Sequence, residues 1–309
     1  MRVLIAVDAT AKCSEIVQEA ASRPWPAGSV FFLLHVLDPY PFVRAPISLE
    51  RAKDAAQARL RAVAQILCAA GWKAEANVVL GRPRRTISQK AASWKADFVL
   101  VGSKEAGGLT RLLLGSTAQS VLRGAPCSVE IVRPSLRDGR VGEIPGIKIL
   151  IATDGSTYSN AALRSVASRP WPKGAKARVI SIPEPFMPLH EFPYFDSKEV
   201  EDLNTSALKQ ANRCATAGAE MLSEAGLETT TGAPFPTDSI AKEIVKEAEA
   251  LQAQMVVVGS HGRRGFDRIA VGSVSEYVAF HAPCSVEVIR EPMGSNLKPK
   301  KASKKGVRK

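Results

Sequence analysis

The chain has 309 residues, 45% hydrophobic and 23% charged, the balance of a globular protein long enough for two ordinary domains. No run approaches the roughly 18 uninterrupted apolar residues of a membrane span, and five cysteines (13, 68, 127, 214, 284) without a CxxC pair argue against a disulfide framework or a zinc site. The net charge of +12 is unevenly placed: seven lysines and arginines and no acid fall in the closing "KPKKASKKGVRK".

The opening "MRVLIAV" goes straight into an apolar, β-branched run, with no basic region or long apolar stretch before it. No secretory signal is expected, and with these cysteines the expected compartment is the reducing cytoplasm. The run at 3–8 predicts a strand, 12–22 a helix, and the continuous apolar 29–36 a second strand. An amphipathic helix over about 50–70, a strand at 73–80 and a helix at 83–94 follow. The strand "DFVLVG", a helix at 116–123 and the strand "SVEIV" close the series. "SLRDGRVGEIPG" (135–146) has Gly, Pro and charge without periodicity, and reads as a linker. Strands are predicted again at 147–153, 176–182, 227–231, 254–258 and 285–289.

The second series repeats the first. "VLIAVDATAKCSEIVQEAASRPWPAGS" (3–29) aligns with "ILIATDGSTYSNAALRSVASRPWPKGA" (149–175), and "GAPCSVEIVRP" (124–134) with "HAPCSVEVIRE" (281–291). The second copy is longer, mostly in "PEPFMPLHEFPYFD" (183–196). Two units are therefore expected, at 1–134 and 147–291, followed by a basic disordered tail at 292–309. Near-continuous apolar strands alternating with helices predict an α/β fold: two tandem doubly wound five-stranded parallel sheets, Rossmann-like, with ligands at the carboxyl ends of the strands. The repeated "RPWP" (23–26 and 169–172) reads as a helix-ending turn with a packed Trp, and the cysteines of "APCSVE" as small buried apolar residues.

One phrase carries chemistry. "VGSHGRRGFDRIAVGSVSEYV" (258–278) places glycines at 259, 262, 265 and 272 between an apolar strand and a helix. Free N–H groups and the positive dipole end of that helix suit an anion, and glycines that accept positive φ would shape a phosphate nest. A plain turn with Ser273 as helix N-cap is the simpler reading, but four glycines in fourteen residues exceed what it needs. No Gly-Lys-Ser/Thr closes a Walker loop and no GxGxxG is present.

Gly259, Gly262 and Gly272-Ser273 reproduce the G-2x-G-9x-G-[ST] spacing of the ATP-binding branch of the universal stress protein family, which the whole chain resembles in unit length and strand–helix order. The resemblance implies that Thr153 and Asp154, at the end of the unit's first strand, belong to the nucleotide site, with Asp154 contacting adenine, and that Ile182 lines the base pocket. It implies that Gly259, His261 and Gly262 wrap ribose and phosphates, while Gly272, Ser273 and Val274 bind phosphate at the helix start. In the first unit Asp8, Gly102, Gly115 and Ser116 align, but Lys104 and Glu105 replace the histidine and the second glycine. A carboxylate in a phosphate nest repels the ligand, so a damaged site is expected there. The implied ligand is ATP with Mg²⁺, the metal using phosphate oxygens and water. The family also implies pairing of the two units through their last strands.

No Ser-His-Asp or His-Glu-x-x-His arrangement is apparent among His35, His190, His261 and His281, and no catalytic or metal-ligating residue is singled out. The favoured reading is a nucleotide-dependent stress-response sensor. A slow ATP hydrolase or phosphotransferase, or an interaction module without nucleotide, stand as alternatives. Homodimerisation and weak nucleic-acid contact through the basic tail are left open.

Overall fold

The computed structural model describes residues 1–8, 13–44, 46–103, 114–133, 146–186, 196–262 and 271–290. The linker apart from Gly146, most of the aromatic insertion, Lys104, Glu105 and the basic tail lie outside them. The strands are β1 (Arg2–Ala6), β2 (Val30–Leu37), β3 (Lys73–Leu80), β4 (Phe98–Gly102), β5 (Ser128–Val132), β6 (Lys148–Ala152), β7 (Lys176–Ile180), β8 (Glu228–Gly232), β9 (Met255–Gly259) and β10 (Ser285–Ile289). The helices are α1 (Cys13–Ser22), α2 (Pro46–Ala69), α3 (Pro83–Ser93), α4 (Ser116–Gly124), α5 (Thr157–Ala167), α6 (Ser197–Glu224), α7 (Ile240–Leu251) and α8 (Ser273–His281). Every strand expected from the sequence is present, shifted by at most two residues at an end.

All ten strands form one sheet in the order β3-β2-β1-β4-β5-β10-β9-β6-β7-β8. Within each unit the pairing is parallel, and β5 meets β10 antiparallel, with Val286 opposite Ile131, Glu287 opposite Glu130 and Val288 opposite Val129. The near-continuous apolar strands are buried because helices cover both faces. One core holds Val17 of α1, Leu60 of α2, Val166 of α5 and Leu222 of α6; the other holds Ile87, Val121, Ile244 and Val278 of α3, α4, α7 and α8. Each core runs across both units. Among the described residues no helix is long and apolar enough to cross a membrane.

Two arginines fasten the seam reciprocally. Arg133, just after β5, donates to the carbonyl of Ala279 (2.6 Å) in the last turn of the other unit's α8, and to that of Cys284 (3.1 Å), the residue before β10. Arg290, just after β10, donates to Leu122 O (3.0 Å) at the end of α4. A cation at a helix C-terminus answers carbonyls that have no helical partner. Burial pushes the Arg133 guanidinium down to about 10. The RPWP turns end α1 and α5 as expected, with Trp25 and Trp171 donating Nε1–H back to Ala20 O and Val166 O, each at 2.7 Å. Cys284 is buried and Cys127 half-buried, and burial pushes both thiols up to about 12.

Candidate functional site

In each half the chain reverses direction through the sheet between its first and fourth strands, β6 and β9 in the second unit. Open α/β sheets bind ligands in the crevice at the carboxyl ends of such a strand pair. The predicted residues of the second unit collect there. Thr153 and Asp154 follow β6, Gly259 ends β9, His261 and Gly262 follow it, and Gly272 precedes α8.

The turn after β6 is ordered by hydroxyls. Thr153 N donates to Ile180 O (2.9 Å), carrying the strand pairing one residue past β6. Asp154 Oδ1 accepts from Ser156 N (3.0 Å), and the Ser156 side chain accepts from Ser159 N (3.2 Å) as the N-cap of α5. Ser159 Oγ joins the parts: it accepts from Thr153 Oγ1 (3.1 Å) and Asp154 N (3.4 Å) and donates to Ser156 O (3.1 Å). Gly155 takes the left-handed φ of +77° the turn requires, with the Cys214 thiol of α6 packed where a Cβ would stand. Asp154 thus orders the turn before α5 as well as standing in the crevice.

Both stems of the glycine loop are pinned. Ser260 N donates to Ile289 O (2.8 Å), Gly272 N to Ser260 O (2.7 Å), and Ser275 Oγ to Gly259 O (2.6 Å). His261 is buried, its ring 5.0 Å from that of Tyr158 and its Nδ1 3.1 Å from Ser260 Oγ. Gly272, not Ser273, is the N-cap of α8, and no side chain caps the helix. The exposed Ser273 and half-buried Val274 occupy its first turn. Ile182, two residues beyond β7, packs half-buried against the same core as Val271 and Val274.

The glycines correct one sequence expectation. Gly259, Gly262 and Gly272 all lie outside the left-handed region, so positive φ is not what this loop needs from them. They are small because something is close. A Cβ on Gly259 would stand 2.7 Å from the backbone of Tyr158 and Ser159, and one on Gly262 would stand 3.0 Å from Asp154 Oδ2. The first closeness lets α5 settle on β9; the second lays the loop against the aspartate. Gly265 lies outside the described residues.

The first unit keeps the frame and loses the polar parts. Gly115 caps α4 as Gly272 caps α8, again without a side-chain cap, and Ser103 N donates to Val132 O (3.0 Å). Asp8 and Ser116 are exposed at the same edge, and Gly102 has only the tip of the Ile16 side chain at its missing Cβ. Yet the repeat places Val7 where the second unit has Thr153, Cys13 where it has Ser159, and Ala118 where it has Ser275. Of these hydroxyls only that of Thr153 belongs to a residue the sequence placed in the site; Ser159, Ser275 and Tyr158 were passed over. The signal was present as substitutions between the copies, but its meaning needed the hydrogen bonds. Among the described residues no three His, Cys, Asp or Glu side chains converge to hold a metal.

The sequence matches the description "Universal stress protein family" over residues 1–133 and again over 147–290. A universal stress protein of Mycolicibacterium smegmatis is 27% identical over 305 residues, covering 93% of this chain and 96% of its own length. The crystal structure of a universal stress protein from Archaeoglobus fulgidus shares the fold across both units. Its TM-score is 0.63 at 22% identity, with 94% of this chain and 98% of that one covered. A universal stress protein crystallised in complex with cAMP is similar over 44% of this chain and 98% of its own, at 26% identity and a TM-score of 0.32; that protein binds a nucleotide. With two matched units spanning nearly the whole polypeptide, the chain belongs to the universal stress protein family, in a tandem form.

Proposed function

We propose that the second unit binds one adenine nucleotide, ATP in the first place, in the crevice between β6 and β9, and that occupancy serves as a regulatory signal in a stress response. The observation that carries this reading is the contact of the Asp154 turn with the glycine loop at the strand reversal, where Gly262 comes so near that a Cβ would stand 3.0 Å from Asp154 Oδ2. A carboxylate there suits the exocyclic amine of adenine as an acceptor. Ile182 offers the base an apolar wall, while His261 and the backbone around Gly259 and Gly262 border the sugar and phosphates. Gly272, Ser273 and Val274 present uncapped N–H groups of α8 to phosphate oxygens. Magnesium would arrive on the triphosphate, through its oxygens and water.

Isothermal titration with ATP, together with mass spectrometry of nucleotide released from denatured protein, tests this. The expected stoichiometry is about one per chain, as one intact loop implies. No measurable heat and no released adenine nucleotide would overturn it. Steady phosphate release that disappears in Gly262→Glu would move the reading to a slow hydrolase.

A further inference from the structure

The seam between the units buries four ionisable side chains. Glu130 of β5 and Glu287 of β10 are directly opposed in the antiparallel pairing, which sets their side chains on one face with Cβ atoms about 5 Å apart. Both are 0% exposed. Each is met by the arginine of its own unit's RPWP turn: Arg23 Nη2 donates to Glu130 Oε1 at 2.8 Å, and Arg169 donates through Nη1 and Nη2 to both oxygens of Glu287 at 2.7 Å. The repeat wrote the same motif pair twice, and the fold brings the copies face to face.

The two halves are not equally satisfied. Glu287 holds a two-pronged arginine, and that guanidinium lies 5.4 Å from the Trp25 ring centre and 5.3 Å from that of Phe98, both in the first unit, and 5.8 Å from Trp171. Arg23 is shared between Glu130 and Glu19 (3.0 Å), leaving Glu130 Oε2 buried with no hydrogen-bond donor among the described residues. The charged groups acting on Glu130 are therefore Arg23 and Glu19 from the end of α1, Arg169 from the end of α5 and Glu287 from β10. Three carboxylates against two guanidiniums leave one negative charge in excess; Glu19 is partly exposed, with 24% of its side chain accessible, while the unpaired Glu130 Oε2 is closed to water. The cheapest remedy for an unpaired buried carboxylate oxygen is a proton.

We infer that the seam is a proton-binding joint: one proton resides on the Glu130 carboxyl facing Glu287, and its release towards alkaline pH weakens the pairing of β5 with β10. Burial is the largest cause and the neighbouring Glu287 and Glu19 add to it, outweighing Arg23 and Arg169, so that the Glu130 carboxyl is pushed up to about 7. The sign follows from a folded-state value above the ordinary one. The native protein holds the proton more tightly than the unfolded chain, so this contribution is complete below about pH 4.5 and is lost as pH rises to about 7.

Two measurements on the full chain test it. Carboxyl ¹³C shifts of ¹³C-Glu-labelled protein, assigned with Glu130→Gln, should show a buried glutamate titrating with a midpoint near 7, well above the ordinary value of about 4.5. Urea midpoints between pH 5 and 8 should fall in the wild type by an amount absent in Glu130→Gln, whose amide keeps the shape of the protonated acid without titrating. Ionisation of both seam glutamates below pH 5, or equal pH dependence in wild type and Glu130→Gln, would overturn the inference. So would a proton retained beyond pH 9.

Discussion

In the proposed site Gly262 marks one difference between the two units, and what distinguishes it is proximity to Asp154 rather than backbone conformation. Gly262→Glu copies Glu105 of the first unit into the second and sets a carboxylate against Asp154 Oδ2, 3.0 Å from where the new Cβ would stand. The site at 262 is exposed, so titration should show ATP binding lost while the thermal transition stays within a few degrees of wild type. The reverse change, Glu105→Gly, should leave the stoichiometry near one, because Val7, Cys13 and Ala118 still lack the hydroxyls that order the second unit's edge. A second equivalent of bound ATP in that variant would show the hydroxyls to be dispensable. Gly259→Ala has a different expected outcome. Its Cβ meets backbone at 2.7 Å, so the denaturant midpoint should fall, by a destabilisation of about 1–3 kcal/mol. The cysteines separate in the same way: with thiols held near 12 by burial, Cys127 and Cys284 should resist iodoacetamide at pH 8 in the native protein. Exposed Cys68 should label first, which peptide mapping would establish.

At the scale of elements, α8 matters most, because its start faces the crevice while its end is held from the other unit. Arg133 ties that end to the residue following β5. Arg133→Leu fills the space but leaves buried carbonyls of α8 without their donor, and should cost about 2–3 kcal/mol in urea unfolding. If α8 then shifts, ATP affinity should fall as well, although the substitution lies in the other unit. An unchanged urea midpoint would mean that water replaces the guanidinium. The helices and strands themselves were legible from composition, since buried parallel strands carry long apolar runs and their covering helices carry one apolar face. Boundaries moved where a strand's last residues belong to its loop. Thr153 is written like strand, yet its hydroxyl serves the turn.

The whole molecule behaves as one sheet with shared cores on both faces, so the two units should not unfold separately. Residues of both units, such as Leu33 and Val179, belong to the same buried cluster. Calorimetry should give one transition with equal calorimetric and van't Hoff enthalpies; two resolved transitions would show that the seam contributes little to cooperativity. Solution scattering should likewise fit a single continuous body, and a profile of two separated lobes would contradict the β5–β10 pairing.

The sequence by itself determined the duplication, the order of strands and helices, the likeness of spacing that pointed to the crevice, and the difference between Gly262 and Glu105. These are local or repeating features, and a linear reading can compare them directly. Tertiary structure alone decided why the glycines are small, which hydroxyls order the Asp154 turn, and that the arginines of RPWP answer the glutamates of CSVE. Arg23 and Glu130 are 107 residues apart, and Glu130 meets Glu287 only because the two edge strands pair antiparallel in that register. Side-chain alternation at period two means that a shift of one residue would have turned the glutamates to opposite faces. A register between distant strands is fixed by the packing of the whole sheet, and no local stretch of chain contains it.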